Sequence, residues 1–163
     1  MASMIKAIYI LVGVAVVAAL LSSVLGGKGN TESIASAVPN DIAEHILSKS
    51  NLIVLAEPEP LKVITNGESL VGRARGYWFF EASFPVILTN WDGLIIAETY
   101  ATAEGDWMTE EFVPFTATLN FTSPYNPGDP DFMKNGSLIL QKDNPSGLPE
   151  HDDALEIPIR FAP

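Results

Sequence analysis

From Asn51 to the C-terminus, short apolar runs alternate with polar positions and are broken by turn residues, the pattern of half-buried strands. "NLIVLAEP" is one such run, stopped at Pro58. "ESLVGRARG" alternates less cleanly, with Leu70 and Val71 followed by glycines and two arginines. "SFPVILTN" and "GLIIAETYATA" are apolar strands joined by "NWDG", whose Asp92-Gly93 pair predicts a hairpin. In "EFVPFTATLNFTS" Phe115, Ala117, Leu119 and Phe121 share one face, with Thr116, Thr118 and Asn120 opposite. "GSLILQK" and "ALEIPIRFAP" complete the set, and in the last Leu155, Ile157, Ile159 and Phe161 are spaced by two. Pro158 cannot donate a ladder bond, so an edge or a bulge is expected there.

About seven strands without a long helical pattern predict an all-β domain over residues 51–163. The physical solution is two antiparallel sheets packed face to face, an immunoglobulin-like β-sandwich. Its expected core draws on Phe79 or Phe80, Phe84, Val86, Leu88, Ile96, Phe115, Leu119, Phe121, Ile139, Ile157 and Phe161. "RGYWFFEASF" is read as extended, so that Tyr77, Trp78, Phe79 and Phe80 alternate between faces.

The N-terminal part breaks this pattern. "IYILVGVAVVAALLSSVLGG", Ile8 to Gly27, carries no charge and is flanked by Lys6 and Lys28. At helical rise it spans about 30 Å, a bilayer's hydrocarbon core. We read residues 1–27 as an uncleaved transmembrane signal anchor, in preference to a cleaved signal peptide. "ASA" at Ala35 to Ala37 has the form of a cleavage site but lies far beyond the last apolar residue, Leu25. The expected location is a single-pass cell-membrane protein with its C-terminal domain extracytoplasmic, or a secreted protein if cleavage occurs. Residues 28–50 read as a polar tether with one short helix, begun by Pro39 and Asn40-Asp41 and carrying His45 as a surface histidine.

Composition narrows the partners. Of 163 residues 47% are hydrophobic and 18% charged, which is not a disordered chain. All 20 acidic residues follow the apolar run, and the net charge is -11, so nucleic acid is a poor partner. There are no cysteines, which excludes disulfides, thiolate metal sites and cysteine nucleophiles.

Three stretches carry a resemblance: "GRARGYWFFEASFPVIL", "AEGDWMTEEFVPFTATLNF" and "KDNPSGLPEHDDALEIPIRF". Together, over roughly Leu52 to Phe161, they resemble the bacterial spore-germination immunoglobulin-like domain family. The resemblance implies a small β-sandwich in an exported or membrane-anchored envelope protein. It implies no enzymatic site and no cofactor.

The candidate chemistry is sparse. Tyr77, Trp78 and Trp107 are candidates for partner binding, as an outward aromatic platform for a protein or glycan. Packing of the same rings under "AEGDWMTEEF", with Trp107 and Met108 closing the sandwich end, is the plainer expectation. Glu81, Glu104, Asp106, Glu110 and Glu111 invite a glycosidase reading, but that chemistry needs a cleft that raises one carboxyl's pKa. Calcium is a better alternative for loop carboxylates, with Asp129, Asp131, Glu150, Asp152 and Asp153 as candidate ligands. Neither acidic turn has the spacing of a calcium loop. His151 lacks a serine nucleophile motif and a second histidine at zinc spacing. "KDNPSGLPEHDD", Lys142 to Asp153, reads as a rigid connection between the last two strands, with Leu148 as its apolar anchor. The function expected is a membrane-anchored, non-enzymatic envelope module that binds a protein or glycan. The alternatives are an assembly module pairing through strand edges and a calcium-binding adhesion-type domain.

Overall fold

The computed structural model describes residues 38–163. The expected membrane anchor and the first part of the tether, residues 28–37, lie outside the described residues. Among the described residues no helix is long and apolar enough to cross a membrane.

Asn40–Pro163 forms one compact unit. Helix α1 (Asn40–Lys49) leads into β1 (Ile53–Glu57), β2 (Val63–Ile64), β3 (Glu68–Arg75) and β4 (Ser83–Asn90). After these come β5 (Ile95–Ala103), β6 (Phe112–Leu119), β7 (Asn135–Gln141) and β8 (Ala154–Phe161). The strands lie in the order β1-β3-β6-β5-β4-β7-β8-β2. The expected sandwich of two separate sheets is thus one curled sheet of eight strands. Its halves are continuous through two residue pairs of β5 and β6, Thr102 with Thr116 and Ala103 with Phe115. The strand missing from the sequence reading is β2, whose two residues pair in parallel with Arg160 and Phe161. So short a run carries no readable period.

Each strand turns its alternate apolar residues to one interior. Phe84 on β4 stands edge-on to Phe115 on β6, ring centroids 4.9 Å apart, although β5 lies between those strands in the sheet. Phe121 meets Phe161 in the same way at 5.7 Å. Of the expected core, Phe79, Phe84, Val86, Leu88, Phe115, Leu119, Phe121, Ile157 and Phe161 are buried. Ile139 is not. In β7 the buried pair is Leu138 and Leu140, which stand opposite Leu88 and Val86, so Ile139 faces outward. Ile96 only packs against the core margin. An apolar triplet such as Leu138-Ile139-Leu140 has no period of its own, and register alone decides its face.

The aromatic stretch departs most from expectation. Gly76–Trp78 is a 3-10 turn, not a strand, so Trp78 and the adjacent Phe79 are both buried while Tyr77 and Phe80 face solvent. Gly76 permits this, because a Cβ there would lie 1.9 Å from the Thr109 carbonyl oxygen and 2.3 Å from that of Trp107. The chain then reverses at Glu81 and Ala82, both with positive φ, while Phe80 and Ser83 exchange backbone hydrogen bonds of 2.9 and 3.1 Å. Such a reversal normally uses asparagine or glycine.

The outer edge of β8 is closed residue by residue. His45 Nε2 on α1 accepts the Glu156 N–H at 3.1 Å, and Lys49 pairs with Asp153. Further along, the Leu61 N–H donates to the Pro158 carbonyl at 2.7 Å, and the Arg160 N–H to the Lys62 carbonyl at 2.9 Å. In a strand a residue's N–H and C=O point to the same side, so Pro158's missing N–H faces this edge, not the ladder to β7. Proline therefore costs β8 nothing there, and no bulge is needed. The expected helix is present, but it is docked on the sheet by His45 and Lys49.

Ala82 at φ 63° bears the strain of a left-handed residue with a Cβ. Ala82→Gly is expected to stabilise the protein by about 1 kcal/mol, the steric relief exceeding the glycine entropy cost. Chemical denaturation would measure it, and a loss of stability would contradict this account of the turn.

Candidate functional site

Side chains gather in a recess under the loop before β8 and at the end of the β4–β5 hairpin. The recess, about 260 Å³, is lined by Leu52, Tyr77, Trp78, Lys142, Glu150, His151, Asp152 and Asp153. It thus joins the aromatic stretch to the acidic loop, and the Asp143 N–H fixes them together by donating to the Trp78 carbonyl at 3.0 Å.

The loop itself is rigidly tied. The Lys142 N–H donates to the Asp153 carbonyl at 2.8 Å, closing its neck, and the Gly147 N–H returns to the Asn144 carbonyl at 3.1 Å. Gly147 supplies the left-handed conformation, φ 63°, at that turn. Asn144 Nδ2 donates to the Leu148 carbonyl at 2.8 Å and to Asp152 Oδ1 at 2.7 Å. This is the rigid connection expected from the residues, although Leu148 is exposed and anchors nothing. Sequence reasoning missed one contact, His151 Nδ1 to Ser146 Oγ at 2.9 Å. Both residues are exposed, and Ser146 also bonds Asn144 Oδ1 and the Leu148 N–H. The serine is a loop brace by these bonds, and among the described residues no carboxylate hydrogen-bonds the histidine to make a triad.

Of the three aromatic partner candidates, Tyr77 is 49% exposed and Trp78 is fully buried. Trp107 packs on the core margin and Met108 is exposed. A three-ring platform therefore does not form, because the 3-10 turn sends Trp78 inward. The carboxylates Glu81, Glu104, Asp106, Glu110 and Glu111 are all exposed and line neither the loop recess nor the shallow hollow where α1 meets β8 at Asp41, His45 and Glu156. Asp106 accepts the Met108 N–H at 3.0 Å, and Glu111 faces Arg75 at 3.8 Å.

Four of the five calcium candidates are committed to protein donors, and the fifth, Glu150, is exposed on the loop. Asp129 Oδ2 accepts the Asn126 N–H at 2.8 Å, Asp152 holds Asn144, and Asp153 holds Lys49. Asp131 bonds Lys134 Nζ at 2.6 Å and Arg160 Nη2 at 3.1 Å. Among the described residues no group of three or more histidine, aspartate or glutamate side chains is placed to hold a metal ion.

Asp131 has a different role. It opens the 3-10 turn Asp131–Lys134, which carries Phe132. The hydrogen bond from Lys134 and then the nearby Arg160 hold the Asp131 carboxyl below its ordinary value of 3.8. The same bond raises Lys134. Phe132 stands edge-on to Trp91 at the tip of the β4–β5 hairpin, centroids 4.9 Å apart. Trp91 is 44% and Phe132 52% exposed, with Leu94 and Ile95 exposed on the same hairpin. The tip is held by Asn90, whose Oδ1 accepts the Asp92 and Leu94 N–H groups at 3.0 and 2.8 Å. A tryptophan inside the turn signal "NWDG" was the available hint of this surface.

Residues 52–132 match the family model of the immunoglobulin-like domain of bacterial spore germination. Over those residues the chain belongs to that family. The match ends inside the turn that carries Phe132, while β7 and β8 complete the same immunoglobulin-like sheet beyond it. No curated protein matches the chain.

Two outcomes follow for these side chains. The charged form of Asp131 is favoured by folding, so its contribution is present above the ordinary carboxylate value and lost as pH falls through the lowered one. Asp131→Asn is expected to shift the indole N–H resonance of Trp91 at neutral pH. Acidifying the native chain should produce the same shift, and the two proteins should coincide once Asp131 is protonated. For the acidic turns, the thermal midpoint is expected to be the same with calcium as with chelator, and a rise with calcium would show a site there.

Proposed function

We propose that this protein is a non-enzymatic immunoglobulin-like module of the bacterial cell envelope, held at the membrane by its N-terminal apolar segment, that binds a protein or glycan. The observation that carries the reading is the exposed aromatic pair Trp91–Phe132 beside Leu94 at the hairpin tip. Monomeric domains rarely leave contiguous large apolar side chains in water, and such patches mark interaction sites. The tip is also built to hold its shape, with Asn90 fixing one ring's turn and Asp131 the other's. A pre-shaped apolar anchor with a polar rim is the arrangement that carries most binding energy.

Several features support a binding role without chemistry. The acidic side chains near Trp107 are solvated, Asp152 and Asp153 of the loop recess are tied to asparagine and lysine, and Glu150 is exposed. A general acid needs a carboxyl held in an apolar, enclosed place. The apolar run from Ile8 to Gly27 supports an envelope location, as does the family.

The test compares the full chain in lipid nanodiscs with Trp91→Ser and Phe132→Ser for retention of envelope components. Each variant is expected to weaken retention by about 2 kcal/mol, roughly thirtyfold, with an unchanged melting midpoint. Equal retention by all three proteins would refute the assignment of the tip as the binding surface.

A further inference from the structure

Among the described residues the sheet has two outer strands, β1 and β2, and β5 is open along part of its side toward β6; these edges are not treated alike. β2 has two residues, and β1 has five with a register shift between Leu55 and Glu57 before Pro58. Both are poor templates for another strand. The part of β8 not covered by β2 is closed by His45, Leu61 and Lys62. β5 is nine residues long, and among the described residues its side away from β4 is paired only at Thr102 and Ala103.

The phase of its hydrogen bonds can be read directly. The Ala103 N–H donates to the Ala82 carbonyl on the β4 side at 2.8 Å, and Tyr100 stands opposite Pro85, which has no N–H to give. Thr99, Ala101 and Ala103 therefore face β4, and Glu98, Tyr100 and Thr102 turn their backbone groups the other way. Thr102 meets Thr116 on β6. Continued by that register, Tyr100 would meet Thr118, but the ladder stops. The N–H and C=O groups of Glu98 and Tyr100 are left facing an opening between β5 and β6. Tyr100, 62% exposed, Ile95 and Glu98 present their side chains along the same strand.

Charge selects the occupant. Between Arg75 and Lys134 the chain contains no lysine or arginine, and nine acidic residues from Glu81 to Asp131. The β4–β5 hairpin lies wholly within that stretch, with Asp92 and Glu98 its only charged side chains. A second copy would set Glu98 against the same acidic hairpin in a chain of net charge -11. We propose that the free edge of β5 at Glu98 and Tyr100 is a docking site for an extended segment of a partner protein, alternating basic and apolar, which adds as a further strand. Its backbone pairs with Glu98 and Tyr100, its basic residues share their outer face and meet Glu98, and its apolar residues turn to the inner face that carries Ala97 and Ala101. This deepens the proposed binding role and rests on it, but it uses the strand edge where that role uses the hairpin tip.

The experiment uses the full chain in nanodiscs and a short alternating lysine–valine peptide as probe. The peptide is expected to bind and to slow hydrogen exchange at the Glu98 and Tyr100 amides. Methylating the peptide's ladder-facing nitrogens should weaken binding about tenfold or more, because backbone bonds carry it. A glutamate–valine peptide should not bind. Glu98→Pro removes an N–H that no neighbouring strand uses and should abolish binding, whereas Glu98→Gln should weaken it only in part. Binding unaffected by N-methylation, protection at other amides, or dimers formed through β5 would overturn the proposal. Trp91→Ser serves to separate the two readings. If it abolishes partner retention while the peptide fails to protect β5, the tip reading stands and the edge reading falls.

Discussion

Phe84 is the side chain on which the architecture turns. Its ring lies 5.2 Å from Phe79 and 4.9 Å from Phe115, tying the 3-10 turn, β4 and β6 to one point in the interior. β4 and β6 are separated by β5 in the sheet, so this meeting forces the sheet to curl until its two halves face each other. Burying the apolar faces of both halves is the dominant favourable term in such a fold. The curl has a cost in pairing, since β5 and β6 hold together for two residue pairs and then part. An unpaired edge at β5 is therefore a consequence of the same packing that makes the core.

The contrast between the two flanks of the molecule follows from how the chain ends meet them. At β8 the chain brings α1, Leu61 and Lys62 to the open edge, and backbone donors and acceptors find partners one by one. Unpaired strand edges invite association, and proteins usually cover them or break them with charge or proline. β5 has one acid, Glu98, facing its opening, and exposed apolar side chains on either side of it. That acid disfavours self-pairing and leaves room for a basic partner. The rings of Trp91 and Phe132 extend the same hairpin as a second, apolar surface.

Much of the fold is legible in the residues. Alternation in "ALEIPIRF" places Leu155, Ile157, Ile159 and Phe161 inside, and they are inside. Asp92-Gly93 marks the hairpin, and Asn144 to Gly147 mark the last turn, each for a stated conformational reason. The misreadings share one cause. Leu138-Ile139-Leu140 and Tyr77-Trp78-Phe79-Phe80 are apolar throughout, so periodicity gives no face to choose. In the first case register to β4 decides, and in the second Gly76, packed too closely on two carbonyl oxygens to carry a side chain, admits the 3-10 turn.

The candidate site was legible only in part. The sequence by itself determined an all-β immunoglobulin-like domain, a strongly acidic central stretch, the absence of cysteine chemistry, and the turn chemistry of the loop before β8. Those properties are local or additive, depending on residue type and short-range spacing. Tertiary structure alone decided that Trp78 is core, that Trp91 meets Phe132 from a distant part of the chain, and that His45 closes the edge of β8. It alone decided that β5 parts from β6, with Glu98 and Tyr100 outside any ladder to β6 among the described residues. These are properties of segments distant in sequence, and the curl that sets them is fixed by the packing of the whole core rather than by any one stretch.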